Sequence, residues 1–291
     1  MRLVIFGNAN PVKLAIDALD GTDIKVLSVE QDKILPGDEQ EDFEGFLSKK
    51  RILLNKFRDI SKYEYDMIFV CNYNKIIKVE EFKNHRIINL HIGILPKYRG
   101  NNANASAILN GEDKVGYTIH EVIDELDGGD IFYCYECQYK EDETYYNAKI
   151  AIDQDIRSNL PKILSDINDG FLPRRSQKGK KFVYCSKIRP DDGVIKDWNI
   201  STETLIRKLY IFGRPLGSGL KFIFKEKIYE IAKMSRIDLF DESIGIPGAI
   251  VNIVGKSCWI KTADTAIAID QLLLNGEVID IKLYFKIGNR L

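Results

Sequence analysis

Neither sign of charge prevails in this chain: 42 lysines and arginines stand against 43 aspartates and glutamates, a formal net charge of −1. Without a basic excess there is no general pull toward nucleic acid or an anionic membrane surface. Long apolar runs are missing as well. Met1-Arg2-Leu3-Val4-Ile5-Phe6 is stopped by Gly7, too short for a secretory h-region, and no run approaches the roughly 20 apolar residues of a membrane span. Histidine occurs only at 85, 91 and 120, with no His-Glu-x-x-His and no second cysteine pair beside Cys134-Tyr135-Glu136-Cys137. These absences argue against a metal hydrolase, and no metal is expected. That cysteine pair has no neighbouring His and no helix N-terminus, so it reads as structural. Five cysteines, an odd number without a secretory signal, point to reduced thiols and a soluble, cytoplasmic protein.

What is present, 291 residues with 45% hydrophobic content, suits one large or two modest domains. Leu3 to Phe6 is a predicted strand, and the turn Gly7-Asn8-Ala9-Asn10-Pro11 feeds a helix from Val12 to about Leu19. A lone Gly7 is no dinucleotide fingerprint, which argues against a nicotinamide cofactor. The turn is either a plain connection or an anion site at a helix N-terminus. Ile24 to Val29 reads as a second strand. Phe43 to Phe57 reads as an amphipathic helix whose apolar face is Phe43, Phe46, Leu47, Ile52, Leu53, Leu54 and Phe57. The stretch between them, Glu30 to Asp42, is acidic. Tyr65 to Val70 is a further strand, Lys78 to Asn84 a short polar helix or turn, and Arg86 to Leu90 a short buried strand. Alternating strands and helices imply a doubly wound, Rossmann-like α/β domain.

Most of the polar residues that look positioned lie between Ile88 and Asp130. Asn89 and His91 fall at or just beyond a strand's carboxyl end, on one face at period two, where open parallel sheets build their sites. Leu95-Pro96-Lys97-Tyr98-Arg99-Gly100 is a punctuated loop, followed by a short helix through Asn104 to Leu109. Val115 to Ile123 ends in Asp124-Glu125-Leu126-Asp127-Gly128-Gly129-Asp130, whose glycines would let backbone approach a ligand closely. Taken alone, a single His after a strand is more often a capping or core residue than a catalyst. His120 falls inside a predicted strand and reads as structural, with ligand contact the lesser alternative. Arg99 is either an exposed loop charge or an anchor for loop and ligand.

Beyond this stretch, Ile131 to Tyr139 alternates as a returning antiparallel strand, and Thr144 to about Gly170 is helical with a break or kink at Pro161. Arg174-Arg175-Ser176-Gln177-Lys178-Gly179-Lys180-Lys181 is a basic linker, which sets domains at 1–180 and 181–291. Ser201 to Thr204 caps a helix through about Tyr210. Short runs follow at Leu220 to Phe224, Lys227 to Met234, Gly248 to Val254, Ser257 to Thr262 and Ala266 to Leu274. Their Pro and Gly punctuation marks a small antiparallel β-barrel.

Asn89-Leu90-His91, then Leu95-Pro96 with Tyr98-Arg99-Gly100, then Leu126-Asp127-Gly128-Gly129 resemble three motifs of the folate-dependent formyltransferases, in the same order. The spacing of 36 residues from His91 to Asp127 also fits. One departure is His91-Ile92-Gly93, where that family usually has His-Pro-Ser. The C-terminal half is similar, more thinly, to the OB-like second domain of the tRNA formyltransferases, through Tyr184-Cys185-Ser186-Lys187-Ile188, Asp192-Gly193 and Pro247-Gly248.

The resemblance implies N10-formyltetrahydrofolate as formyl donor and no metal, with Asn89, His91 and Asp127 catalytic. It implies that Asn74, Lys75, Ile76, Ile77, Ile123 and Asp124 hold the folate, and that Gly7, Asn8, Ala9, Asn10 and Arg99 lie on the acceptor side. The chemistry of the three residues agrees. An Asn amide stays neutral at all pH values and can donate to an oxyanion, His can exchange protons with amines, and a nearby Asp favours the imidazolium. The chain is too long for the single-domain relatives that act on a glycinamide. The relatives that formylate initiator tRNA carry a basic insertion where this chain has the acidic Glu30 to Asp42, which would repel phosphates. The resemblance is thus closest to the sugar N-formyltransferases, which formylate a nucleotide-linked amino sugar for surface polysaccharide such as O-antigen. Methionyl-tRNA formyltransferase is the alternative, nucleic acid is not an expected partner, and a homodimer is left open.

Overall fold

The computed structural model describes residues 1–56, 60, 63–82, 85–138, 145–215, 217–237 and 245–291. Expectations that touched Phe57, Asn84, Tyr139 and Thr144 lie outside the described residues at those positions. The chain forms two compact units. The first comprises Met1–Ser106, Lys114–Gln138 and Ala148–Ser186, and the second is built chiefly on Lys187–Leu291.

In the first unit β1 (Arg2–Gly7) leads into α1 (Ala9–Leu19), then β2 (Lys25–Gln31), α2 (Gly37–Lys49), β3 (Leu53–Lys56), β4 (Met67–Cys71) and β5 (Arg86–His91). β6 (Tyr98–Gly100) and α3 (Ala103–Leu109) precede β7 (Lys114–Glu121) and β8 (Ile131–Gln138), and α4 (Tyr145–Asn168) and β9 (Val183–Cys185) complete it. The main sheet runs β3-β2-β1-β4-β5-β7-β8. Its first five members are parallel, and β7 and β8 are antiparallel additions. Strand order reverses between β1 and β4, so the loops leaving their carboxyl ends, Asn8 and Asn72, flank the crevice where such sheets bind ligands. Central strands read as unbroken apolar runs because both faces are covered. Leu3, Val4, Ile5 and Phe6 are fully buried, as are Ile68 and Phe69.

Three elements differ from the sequence reading. Helix α1 already includes Ala9 to Pro11, the proline sitting in a first turn where no N–H is needed. The expected helix from Phe43 to Phe57 stops at Lys49. Phe43 and Leu47, four apart, are buried on its inner face, but Arg51 takes a left-handed φ of 57° and Leu53 begins a strand beside β2. Leu53 is 55% exposed, so the apolar run was an edge strand and not a continuing helical stripe. Helix α4 runs through Pro161 as one 24-residue element. Its buried stripe of Ala148, Ile152, Ile156, Leu160, Ile163, Leu164 and Ile167 holds it together, while the carbonyl that Pro161 leaves unbonded falls on the exposed side at Arg157.

In the second unit β10 (Val194–Ile195) and α5 (Thr202–Phe212) precede β11 (Leu220–Phe224), β12 (Lys227–Arg236), β13 (Ile250–Val254), β14 (Ser257–Lys261), β15 (Ala266–Leu274) and β16 (Glu277–Val278). The order is β10-β11-β12-β15-β14-β13 with β16 on β15, antiparallel throughout except for β10 against β11. Phe222 and Tyr229 face each other across β11 and β12 with rings stacked 5.4 Å apart, in a core shared with Trp198, Leu205, Ile267 and Phe285. The Ser201 hydroxyl caps α5 by accepting from the Thr204 N–H. The β-rich half is thus an antiparallel-rich sheet domain, as expected.

Candidate active site

β5 delivers Asn89 and His91 to the carboxyl edge of the main sheet. Antiparallel pairing sets Asn89 directly opposite His120 of β7. Asn89 is half-buried, whereas His91 and His120 are buried. The third contributor arrives from the loop after β7, where Asp127 takes a left-handed φ of 50° and turns its carboxylate back over the two strands.

The contacts are mutual. The Asn89 Nδ2 lies 3.0 Å from His120 Nε2 and 3.4 Å from Asp127 Oδ1. His91 Nδ1 is 3.5 Å from Asp127 Oδ2, and His120 Nε2 is 3.4 Å from Asp127 Oδ1. Backbone fixes both rings: His91 Nε2 meets the Tyr98 carbonyl at 2.8 Å, and His120 Nδ1 meets the Glu121 carbonyl at 2.8 Å. Each neutral ring must then carry its hydrogen on the nitrogen facing a carbonyl. In neutral His120 the Nε2 therefore accepts from Asn89.

The short strand β6 holds the pieces in register. It pairs in parallel with β9 as a separate two-stranded ribbon. Its Tyr98 carbonyl receives His91, and its Gly100 N–H donates to Asp127 Oδ2 at 2.8 Å. Gly100 has a φ of 86°, and a Cβ there would lie 2.9 Å from the Cys185 carbonyl, so glycine is required. Gly93 accounts for the unusual His91-Ile92-Gly93. A Cβ at that position would come within 2.4 Å of the Ala103 Cβ and 2.7 Å of His91 Nε2, so this backbone has no room for serine. Thr118 of β7 ties the same loop, donating to the Gly93 carbonyl at 2.7 Å.

Burial and charge pull the two acid-base groups in useful directions. Burial lowers the His91 pKa, and the nearby His120 adds to that, while Asp127 and the Tyr98 carbonyl act against it. His91 is consequently neutral near pH 7. For Asp127 burial acts upward, but contact with His120, the charges of His91 and His120 and the Gly100 N–H together outweigh it and hold the carboxyl at about 2.

The residues expected to hold a folate lie on two segments, one following β4 and one following β7. Ile77 is buried in a cluster with Phe6, Val70 and Ile87, against which Tyr73 and Val122 also pack, so segments 74–77 and 123–124 share one apolar support. Beyond that support Ile76, Ile123 and Leu126 are exposed, Ile76 to 85%. Lys75 and Asp124 are exposed as well.

The acceptor-side residues are placed otherwise than a simple contact surface. Gly7 is buried where a Cβ would clash with the Cys71 carbonyl at 2.0 Å. Asn8 is fully buried, with its Nδ2 bonded to the Asp32 carboxylate and to the Asn72 carbonyl at 3.0 Å. The other Asp32 oxygen accepts the Asn74 N–H at 2.6 Å, so a carboxylate of the chain itself already takes donors that a phosphate would want. Ala9 and Asn10 remain accessible. Arg99 is only 2% exposed, donating to Glu125 Oε1 at 2.6 Å and to Gln177 Oε1 at 3.2 Å. The glycines after Asp127 serve close packing within the chain: a Cβ on Gly129 would lie 2.0 Å from the Glu121 carbonyl.

Two residues touch this cluster outside the expected catalytic set, His120 and Gln177. His120 was legible in principle, since β5 and β7 are consecutive members of one sheet and an antiparallel return places it across from Asn89. Gln177 sits in a segment whose lysines and arginines suggested a solvated linker, and nothing local marks it. Burial raises the Cys134 and Cys137 thiol pKa values, in keeping with a structural role.

Two family models match the chain: formyl transferase over residues 8–163, and the formyl transferase C-terminal domain over 187–288. The methionyl-tRNA formyltransferase of Sulfurihydrogenibium sp. (strain YO3AOP1) is 31% identical over 211 residues, which cover 70% of this chain and 65% of that protein. That of Thermotoga neapolitana is 28% identical over 73% of this chain and 66% of its own length, so the chain spans about two thirds of these relatives. Among solved structures, WlaRD, a sugar 3N-formyl transferase determined with dTDP and 5-N-formyl-THF, superposes with a TM-score of 0.68 at 19% identity, covering 92% of this chain and 97% of that one. The N-formyltransferase from Helicobacter canadensis, in complex with folinic acid and dTDP-3-aminofucose, gives 0.66 at 16% identity, covering 92% and 98%. At these identities the likeness speaks to the fold alone.

Proposed function

From a chain that belongs to the formyl transferase family, we propose an enzyme that moves a formyl group from N10-formyltetrahydrofolate to the amino group of a nucleotide-linked amino sugar. The observation that carries the reading is the convergence of Asn89, His91 and Asp127, 38 residues apart in sequence, on contacts of 3.5 Å or less. The segments 74–77 and 123–124 support a folate there, because Ile76 and Ile123 offer exposed apolar surface beside a shared apolar cluster. When bound, the folate supplies the formyl carbon as electrophile.

The chain's own groups cover the remaining needs. Asn89 spends one N–H on His120; the other, whose 3.4 Å contact with Asp127 is weak, is available to the formyl oxygen as negative charge develops there. His91, neutral and with its Nε2–H given to Tyr98, receives the amine's proton at Nδ1. Asp127, ionised and 3.5 Å away, stabilises that proton and can pass it by water toward the departing nitrogen. Arg99 acts on the loop that carries Asp127 and not on the acceptor, so acceptor contact on that side falls to Ala9, Asn10 and the backbone beside Gly7 and Asn8.

We place the catalytic half at 1–180 and the β-rich half at 181–291, and the reaction in the cytoplasm, in keeping with five free cysteines. Methionyl-tRNA formyltransferase is the second reading, favoured by the names of the sequence relatives. Against it, Asp38, Glu39, Glu41, Asp42 and Glu44 are all exposed on α2, beside the acceptor-side turn through the Lys13 to Asp42 ion pair. A turnover screen of nucleotide-linked amino sugars against aminoacylated initiator tRNA, both with N10-formyltetrahydrofolate, decides between them. Formylation of the tRNA alone would overturn the sugar reading.

A further inference from the structure

We infer that Gln177 is a positioning residue for Asp127, delivered from the segment after α4 to fix the backbone on which the carboxylate is carried. The inference rests on the proposed formyl transfer. Asp127 occupies a left-handed conformation that an L residue keeps only where its surroundings over-determine it. Gln177 supplies that constraint from one side chain. Its Nε2 donates to the Asp127 carbonyl at 2.9 Å and to the Gly129 carbonyl at 2.6 Å, spending both amide hydrogens on one turn of the loop.

The amide is itself held. Gln177 Oε1 accepts from Arg99 Nη2 at 3.2 Å, Arg99 Nη1 donates to Glu125 Oε1 at 2.6 Å, and the guanidinium lies 3.9 Å over the Phe182 ring. Gln177 is 3% exposed. The loop from Glu125 to Gly129 is thus gripped at Glu125 by Arg99 and at Asp127 and Gly129 by Gln177. Arg99 links the two grips and lies in β6 between Tyr98 and Gly100, the residues that fix His91 and the Asp127 carboxylate. A displacement of about 1 Å at Asp127 would open its contact with His91, and misplacements of that size cost on the order of 100-fold in rate.

Three variants separate positioning from general support. Gln177→Glu keeps the acceptor for Arg99 but has no hydrogens for the two carbonyls; Gln177→Leu removes both functions; Gln177→Asn keeps the amide one methylene short. The groups facing His91 are Asp127, His120 and the Tyr98 carbonyl, and those facing Asp127 are His91, His120, Asn89 and the Gly100 N–H. Of these, Asp127 is the side chain that raises the His91 pKa, so loosening Asp127 should let it fall.

The expected result for Gln177→Glu is a kcat reduced about 10- to 100-fold, folate affinity within a few-fold of wild type, and a His91 ring titration by NMR in the ligand-free protein moved to lower pH. Gln177→Asn should lie between it and wild type, and it decides the matter alone if the other two fail to fold. An unmoved His91 titration, or a loss of activity matched by the loss of folded protein, would overturn the inference. Asp127→Asn is measured in parallel: if that variant keeps the wild-type rate, it is the formyl-transfer assignment that fails, whatever Gln177 does.

Discussion

At the level of single residues, Asn89, His91 and Asp127 are three side chains whose chemistry is ordinary and whose placement is not. His91→Ala and Asp127→Ala should fold and bind folate, yet lose on the order of 100-fold or more in kcat at saturating substrates, since each removes a proton-handling or orienting group. Near wild-type turnover in either would mean the roles are misassigned. The pH profile has a fixed sign. In the proposed mechanism neutral His91 takes the proton, so kcat/KM should fall as pH drops, with a midpoint below the usual histidine value of 6.5 because burial disfavours the imidazolium. Asp127, held at about 2, stays ionised across the measurable range. In Asp127→Asn the residual activity should show an acid limb at still lower pH, because the carboxylate that raised the His91 pKa is gone. An acid limb that moves upward would contradict the arrangement.

At the scale of elements, β6 is the piece on which the geometry depends. Gly100→Ala places a Cβ against the Cys185 carbonyl at a left-handed φ, and should cost about 2 kcal/mol in denaturant unfolding together with a large loss of kcat. An unchanged stability would show that β6 can shift without penalty. This element also marks how far a sequence can be read. Strands β1, β4 and β5 were legible because both their faces are buried, which leaves unbroken apolar runs. The grouping of Asn89, His91 and Asp127 was legible because they carry recurring motifs. What stayed hidden was set by contacts distant in sequence. Leu53 and Leu54 look helical until the neighbouring β2 is known, the choice between an exposed and an anchoring Arg99 waits on Gln177 from 78 residues away, and the nearness of His120 to Asn89 appears only when β7 is paired with β5. The Asn8 to Asp32 bond, which joins two strand-end loops, was likewise set by a partner distant in sequence.

At the scale of the whole molecule, the parallel-rich sheet holds Asn89 and His91 at the carboxyl end of β5, and the acidic surface of α2 bears on the proposed acceptor. A tRNA acceptor would engage many phosphates, so its affinity would fall by several powers of ten between low and moderate salt, whereas a nucleotide sugar brings only a diphosphate and a shallow dependence. Steep salt dependence of turnover would move the assignment to the tRNA reading. The most direct test of the central claim is a mass-spectrometric turnover assay with N10-formyltetrahydrofolate and a panel of nucleotide-linked amino sugars, run on wild type and on His91→Ala. The account predicts that at least one sugar gains a single formyl group with wild type, with the rate lowered on the order of 100-fold in the variant. No formylated sugar under conditions where initiator tRNA is formylated, or equal rates for the two proteins, would contradict it.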